Sequence, residues 1–290
     1  MRQFIVENKQ IRDGLIQLEG KDYRYLRQVL RARAGDMISV RLPDGSLSNA
    51  TVAKIDEGSR RITLQLCAAT GETITRGVQA DEIAAGVSGG AGLSQVEYWL
   101  FQFLPRPQKF ELIVRQATEC GVEVIVPVIG EYTEKSSAQA IAGAKKERLE
   151  RIIKEARQQS GSPVNTRVTE PKSLVQAIDF WKSGFDTASG QLNHQNVAFV
   201  LSERDDCSGN LRSSVQAAGG LEQIKKAAIA VGSEGGISPD EVRLLEEKGL
   251  FVPIHFAVNI LRCETAALYG IAAVQSEINQ SNRLPGQAGQ

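Results

Sequence analysis

Two short segments carry residue types at a spacing that could do chemistry. The first is Gly232-Ser233-Glu234-Gly235-Gly236-Ile237, which follows the apolar run Ala227–Val231 and precedes Ser238-Pro239-Asp240-Glu241. A serine N-cap, a proline at the first helical position and a glutamate three residues after the cap mark a helix start. A glycine loop therefore joins a buried strand to a well-defined helix, although a tight strand-to-helix turn alone would use such glycines. Phosphate binding is the first functional thought, but Glu234 at the loop's centre would repel an anion. A ligand with hydroxyls and amines to donate, and positive charge, suits it better. The second segment is Asn259-Ile260-Leu261-Arg262-Cys263-Glu264-Thr265-Ala266. There an apolar pair leads into Arg, Glu and Thr at the mouth of a helix, and an Arg262–Glu264 ion pair is the plain structural account.

Other chemistries are poorly supplied. The only histidines are His194 and His255, with no partner at metal-ligand spacing, and no GxSxG elbow is present. A histidine-based metalloenzyme or a serine hydrolase is therefore not expected, and no metal is expected. Cys67, Cys120, Cys207 and Cys263 are widely separated, with no CxxC pair, which suits reduced thiols. Acids, arginines and backbone must carry the chemistry.

The elements that position these segments follow from periodicity. Phe4–Val6, Met37–Leu42, Ala50–Ile55 and Arg61–Leu66 alternate as strands, with turn residues between them and a helix at about 21–33. Closely spaced strands of this kind predict a small barrel over residues 1–67. Residues 68–94, rich in Gly, Ala and Thr, read as a linker. From there strands at Val96–Leu104, Glu123–Ile129, Val164–Val168, Asn196–Leu201, Ala227–Val231 and Phe251–Ile254 alternate with helices. The helix at Gln108–Cys120 presents Phe110, Ile113, Val114, Ala117 and Cys120 on one face. A basic helix ends near Ser160, the capped helix ends at Gly249 as its C′ residue, and a last helix starts near Arg262 with Ala266, Tyr269, Gly270, Ala273 and Val274 inward. Such alternation predicts a parallel α/β sheet over 95–280 with helices on both sides, and ligands beyond the carboxyl ends of its strands. Residues 281–290 read as a flexible tail.

Composition sets the outer limits. The 290 residues, 42% hydrophobic and 23% charged, suit about two globular domains, with no apolar run long enough to span a bilayer and too short an apolar start for a signal peptide. A cytoplasmic protein with no membrane partner is expected. Net charge is zero, yet residues 1–66 hold 12 Lys/Arg against 8 Asp/Glu, a net of +4. Arg24, Arg27, Arg31 and Arg33 crowd together there, and a second basic stretch runs through Lys145, Lys146, Arg148, Arg151, Lys154 and Arg157. Solvated helix faces would explain each cluster; two clusters in a neutral protein raise nucleic acid as a partner.

The segments together resemble a known family. Gly232-Ser233-Glu234-Gly235-Gly236 followed by Ile260-Leu261-Arg262-Cys263-Glu264-Thr265-Ala266 is similar to the signature pair of the bacterial 16S rRNA uracil-N3 methyltransferases, of the SPOUT trefoil-knot class. Lys109 with Arg115–Val122, Glu155–Ser160, and Tyr25–Arg31 with Gly35-Asp36 resemble further blocks of that family, in the same order across both predicted domains. The resemblance implies a PUA-like N-terminal β-barrel that helps hold RNA and a knotted C-terminal α/β domain that binds S-adenosylmethionine. It also implies a homodimer with the cofactor site near the subunit interface, and 16S rRNA or the small ribosomal subunit as substrate. Ser233, Ala257 and Asn259 depart from the family's usual residues, and Gly161-Ser162-Pro163 lacks its arginine. A SPOUT enzyme with another RNA target, or an inactive RNA-binding member, stays open as an alternative.

On this resemblance Leu201, Gly232, Glu234, Gly236, Ile260, Leu261 and Thr265 hold the cofactor. RNA contacts fall to Arg27, Arg31, Arg33, Lys109, Arg148 and Arg157. Methylation at uracil N3 requires loss of the imide proton and stabilisation of the resulting negative charge. Arg262 suits the charge role, and Glu264 either orients it or acts as base.

Overall fold

The computed structural model describes residues 3–7, 10–12, 14–67, 96–134, 137, 141, 146–183, 195–203, 210–217 and 224–281. The expected linker, Lys145, His194, Cys207 and residues 282–290 of the expected tail lie outside them. The described residues form two units, one of residues up to Cys67 with Arg157–Pro163, the other of residues 96–156 and 164–281.

The first unit is a six-stranded sheet. Its elements are β1 (Phe4–Ile5), β2 (Ile11–Arg12), β3 (Leu15–Leu18), α1 (Gly20–Arg24, continuing as a π turn over Tyr25–Val29), β4 (Met37–Arg41), β5 (Leu47–Asp56) and β6 (Arg61–Leu66). The order is β1-β4-β5-β6-β3-β2, antiparallel except for the parallel β1–β4 pair. Alternate residues such as Val40, Val52, Ile62 and Leu64 fill the core with Phe4, Leu18 and Leu26. The β2–β3 hairpin was not among the expected strands. Gln3 ties residues 157–163 into this unit, donating from Nε2 to Arg157 O (3.1 Å) and Ser162 O (3.3 Å).

The helix expected over 21–33 is shorter. Leu26 and Ala32 are both buried, and in an α-helix positions six apart lie about 240° apart around the axis. The chain resolves this conflict by widening, with Leu30 N donating to Tyr25 O and Ala32 N to Leu26 O, and with Arg31 left-handed at φ 53°.

The second unit holds the predicted parallel sheet. Its elements are β7 (Glu97–Phe103), α2 (Pro107–Glu119), β8 (Val124–Ile129), α3 (Lys146–Ser160), β9 (Arg167–Val168), β10 (Lys172–Ser173), α4 (Leu174–Ser183), β11 (Asn196–Leu201), α5 (Leu211–Ala217), β12 (Lys226–Val231), α6 (Pro239–Leu244, continuing as a π turn over Leu245–Gly249), β13 (Val252–Ile254) and α7 (Cys263–Ser281). The order is β10-β8-β7-β12-β11-β13, with β9 also on β8, and every ladder is parallel. Period-2 alternation splits the core. Trp99, Phe101 and Phe103 join Val126, Ile178 and Trp181 on one face, and Leu100 and Leu104 join Phe110, Ile153, Ile229 and Ile271 on the other. Helices α4 and α5 had not been expected. No helix of the described residues is long and apolar enough to cross a membrane.

Two expectations are corrected here. The left-handed residue that ends the capped helix is Leu250 (φ 61°), not Gly249. Gly249 is small because a Cβ there would stand 2.9 Å from the Phe251 ring. The buried line of α7 is Cys263, Ala267, Gly270, Ile271, Val274 and Ile278, about one position round from the expected face. The two isoleucines turn inward, while Tyr269 lies outward with its ring edge-on to Phe256 at 5.0 Å.

Candidate functional site

The carboxyl ends of β11, β12 and β13 open on a cavity of about 840 Å³. Its walls are the loop after β12, the residues after β11 and the segment from His255 into the first turn of α7. The loop owes its shape to two glycines. A Cβ on Gly232 would stand 2.7 Å from the carbonyl carbon of Gly236 and 2.8 Å from its Cα, so two stretches of backbone meet where no side chain fits. A Cβ on Gly236 would meet only Glu203 Oε1, at an ordinary 3.9 Å, but its φ of 77° favours glycine. Gly236 N donates to Ser233 O (3.0 Å), closing the turn.

The predicted capping box is formed. Ser238 Oγ accepts from Glu241 N (3.4 Å) and Glu241 Oε2 accepts from Ser238 N (3.0 Å), while Glu241 Oε1 also accepts from Glu131 N (2.8 Å). One carboxylate thus fixes the start of α6 and the turn after β8. That turn brings Tyr132 to the cavity, with its Cβ close under Gly235.

Of the residues expected to hold a cofactor, Leu201, Gly232, Glu234, Gly236, Ile260 and Leu261 line this cavity, and so does Arg262. Thr265 is exposed and outside the lining. Glu264 stands behind the wall with its side chain 16% exposed. The ion pair weighed for Arg262 and Glu264 is replaced by another. Glu264 Oε2 lies 3.4 Å from Lys109 Nζ, whose second carboxylate neighbour is Glu234 Oε1 at 3.5 Å. Glu234 Oε1 also accepts from Arg106 N (3.2 Å), and Cys263 Sγ donates to Glu264 Oε2 (3.2 Å). Lys109 therefore links the start of α2 to the glycine loop and to the first turn of α7.

This network sets the protonation of its members. Burial pushes the Cys263 thiol up to about 12, helped by its bond to Glu264, so the sulfur stays a neutral donor. Burial also opposes the charge on Glu264, but its own backbone N–H, Cys263 and Lys109 outweigh it and hold the carboxyl below the ordinary range. Burial disfavours charge on Lys109, yet the carboxylates of Glu264 and Glu234 raise its pKa overall, and it stays protonated. No group of three or more metal-ligating side chains forms among the described residues.

The arginines expected at RNA divide in two. Arg31 and Arg33 are exposed. Arg27 pairs with Glu57 (2.9 Å) and donates to Ala32 O, Arg148 pairs with Glu111 (2.6 Å), and Arg157 is half-buried, with Nη2 donating to Pro163 O (3.4 Å).

Sequence reasoning missed Gln102, Tyr132, His255 and Cys263. Gln102 had a readable signal, being the one polar side chain inside Trp99-Leu100-Phe101-Gln102-Phe103-Leu104. His255, whose Nδ1 lies 3.2 Å from Ser202 O, had none.

With this site at the carboxyl edge of a parallel sheet, residues 93–275 match the family described as RNA methyltransferase domain. The chain belongs to the RNA methyltransferase domain family. The match covers more than half of the chain and includes every cavity-lining segment. Among relatives of this RNA methyltransferase, ribosomal RNA small subunit methyltransferase E 2 of Borreliella burgdorferi is 23% identical over 283 residues, 97% of this chain and 100% of that one. Ribosomal RNA small subunit methyltransferase E of Synechocystis is 25% identical over 276 residues, 94% of this chain and 76% of that one. The crystal structure of ribosomal RNA small subunit methyltransferase E from Neisseria gonorrhoeae, bound to S-adenosyl methionine, aligns with a TM-score of 0.66 at 22% identity, over 95% of this chain and 97% of that one. That likeness establishes a shared fold.

Proposed function

We propose that the cavity binds S-adenosylmethionine and that this RNA methyltransferase methylates N3 of a uridine in the 16S rRNA of the small ribosomal subunit. The observation that carries the reading is the cradle at Gly232, where a Cβ would strike the backbone of Gly236, on a cavity that also collects Glu234 and Arg262. The relatives' names as small-subunit rRNA methyltransferases, and the cofactor in the Neisseria structure, support it.

The residues present fit that cofactor. The backbone of Gly232 and Gly236 lets a ligand approach closely, Leu201, Ile260 and Leu261 offer apolar packing to a purine, and Glu234 suits an ammonium or sulfonium. The bound cofactor supplies an electrophilic methyl group. Arg262, exposed on the wall, stabilises the negative charge that uracil gains when N3 loses its proton. Glu264, committed to Lys109 and Cys263 and held below the ordinary carboxylate range, is a poor base and serves to position Lys109.

The same reading assigns the parallel sheet to the SPOUT trefoil-knot class and the six-stranded unit to a PUA-like RNA-holding barrel. Its RNA contacts concentrate on the exposed Arg31 and Arg33. Ile260, 82% exposed beside the cavity, with Val258 and Tyr269 also exposed, is a surface for a second copy to cover in a homodimer.

Nucleoside mass spectrometry of 16S rRNA from a strain lacking this chain tests the proposal. N3-methyluridine should be absent, restored by the wild-type chain and not by Arg262→Ala. Its persistence in the deletion strain would overturn the assignment of the base.

A further inference from the structure

Gln102 stands where β7 calls for an apolar residue. Leu100 and Leu104 flank it on the same face and are buried, and Gln102 itself is 0% exposed. Its Nε2 donates toward three carbonyls, Phe103 O at 2.9 Å, Gly232 O at 3.0 Å and Val231 O at 3.3 Å. The first is local. The other two are the last residue of β12 and the first residue of the glycine loop. Its Oε1 meets no donor among the described residues. The orientation of the amide follows from its surroundings, because the reverse assignment would set an oxygen against three carbonyl oxygens.

The unpartnered Oε1 costs stability that an apolar side chain would not, so the amide is retained for the carbonyls that its Nε2 holds. A strand residue that breaks the local rule and, beyond its neighbour Phe103, reaches the entry of the ligand cavity marks a functional constraint. The loop it touches needs such a constraint. Gly232, Gly235 and Gly236 have wide backbone freedom, and a ligand that must order them binds less tightly.

We propose that Gln102 is a positioning residue for the cofactor. Through the carbonyls of Val231 and Gly232 it fixes the entry of the glycine loop, so that the backbone from Gly232 to Gly236 stands ready at the cavity wall. This rests on the reading of that cavity as the S-adenosylmethionine site.

The test uses the full chain with Gln102→Met, which keeps the unbranched shape without the donor, and Gln102→Leu as a second donor-free variant should the first fold poorly. Losing two neutral hydrogen bonds to the loop should raise the Kd and KM for S-adenosylmethionine about tenfold. The kcat at saturating cofactor and the KM for RNA should stay within about twofold. Melting temperature should change little, because removing the unpartnered Oε1 offsets the carbonyls left without Nε2, and amide exchange measured by mass spectrometry over residues 231–236 should accelerate without cofactor present. A lower melting temperature with cofactor affinity and loop exchange unchanged would overturn the proposal and leave Gln102 a packing residue. If the wild-type chain shows no calorimetric binding of S-adenosylmethionine, the reading of the cavity falls instead. Loop exchange, which needs no cofactor, then still decides the tether, and unchanged exchange would overturn it.

Discussion

The two ends of the parallel sheet both gather charged side chains, and they use them differently. At the amino end Lys226 pairs with Glu97 (3.5 Å) and lies 5.4 Å from the Trp99 ring, and Arg167 lies over the same ring at 6.0 Å. Trp99 Nε1 donates to Glu97 Oε1 (2.6 Å). Burial and the neighbouring Glu97 raise the pKa of Glu123 there, against the pull of Arg167 and Lys226. The charges surround an aromatic ring and satisfy one another. At the carboxyl end Lys109, Glu234 and Glu264 also pair, but around backbone that glycines bring together and beside a cavity of about 840 Å³. Charge by itself therefore does not distinguish the end that carries the cavity from the end that does not. Enforced close approach of backbone, next to open space, is found at the cavity end.

The contrast can be broken most severely at Gly232. Gly232→Val forces a side chain into the backbone of Gly236, and overpacking of that kind costs about 1–3 kcal/mol. The melting shift induced by S-adenosylmethionine should vanish. Gly236→Ala meets strain but no collision, so its shift should shrink rather than disappear; equal effects from the two would show that the close approach is not what shapes the site.

Next in size is Arg262→Ala. Loss of a charge-stabilising donor should lower kcat by about a hundredfold or more, and Arg262→Lys should recover little because it lacks the planar fork. The side chain is exposed, so the melting temperature should stay near wild type. Near-normal turnover in the folded variant would return Arg262 to a surface role.

Lys109→Met should lower the melting temperature by roughly 2–4 °C at neutral pH, the scale of a modest ion pair in a unit of this size. The pH profile carries the sign. Glu264 sits below its ordinary range, so its contribution is present above the unfolded carboxylate pKa and is lost as pH falls through the folded value. Lys109 is raised, so its contribution is present below the unfolded lysine pKa and is lost as pH rises through the folded value. The gap between wild type and variant should thus be widest across neutral pH and close at both extremes. A gap that does not change with pH would remove the ion pairs as its cause.

The smallest effect belongs to the other end of the sheet. Lys226→Met removes a partly exposed pair and a cation–π contact, together worth about 1 kcal/mol or less. Turnover and cofactor affinity should not change. A large loss of activity would erase the distinction between the two ends.

Much of this architecture is legible locally. The run Ala227–Val231, the glycines after it and the capping pair Ser238 and Glu241 specify strand, loop and helix within fifteen residues, and each forms as the spacing implies. The strand at Asn196–Leu201 is equally plain. What was not legible depends on partners remote in sequence. Lys109 meets Glu234 and Glu264 only because the sheet sets β7 beside β12, and nothing near Lys109 distinguishes it from a lysine that reaches RNA. The face of α7 was misread because Ala, Gly and Tyr give a weak stripe, so the two isoleucines decide the rotation. Leu250 rather than Gly249 took the left-handed position, and Gly249 answers a different need, since the Phe251 ring leaves no room there for a Cβ.

The parallel ladder of β7 and β12 also dictates an order of events during folding. Gln102 reaches Val231 across 129 residues, and Gln275 Nε2 reaches Cys120 O (2.7 Å) across 155. Of the second unit, β7 and α2 emerge first on the ribosome, with one flank of the strand and one face of the helix still waiting for elements encoded much later. A centre assembled from such distant pairings closes slowly and late, and until β12 and α7 arrive the apolar edge of β7 is open to the wrong neighbours. The cavity wall is thus among the last parts of the molecule to exist, and a chain interrupted before residue 226 would present β7 paired to β8 on one side only, with its other edge open and the loop after β12 missing.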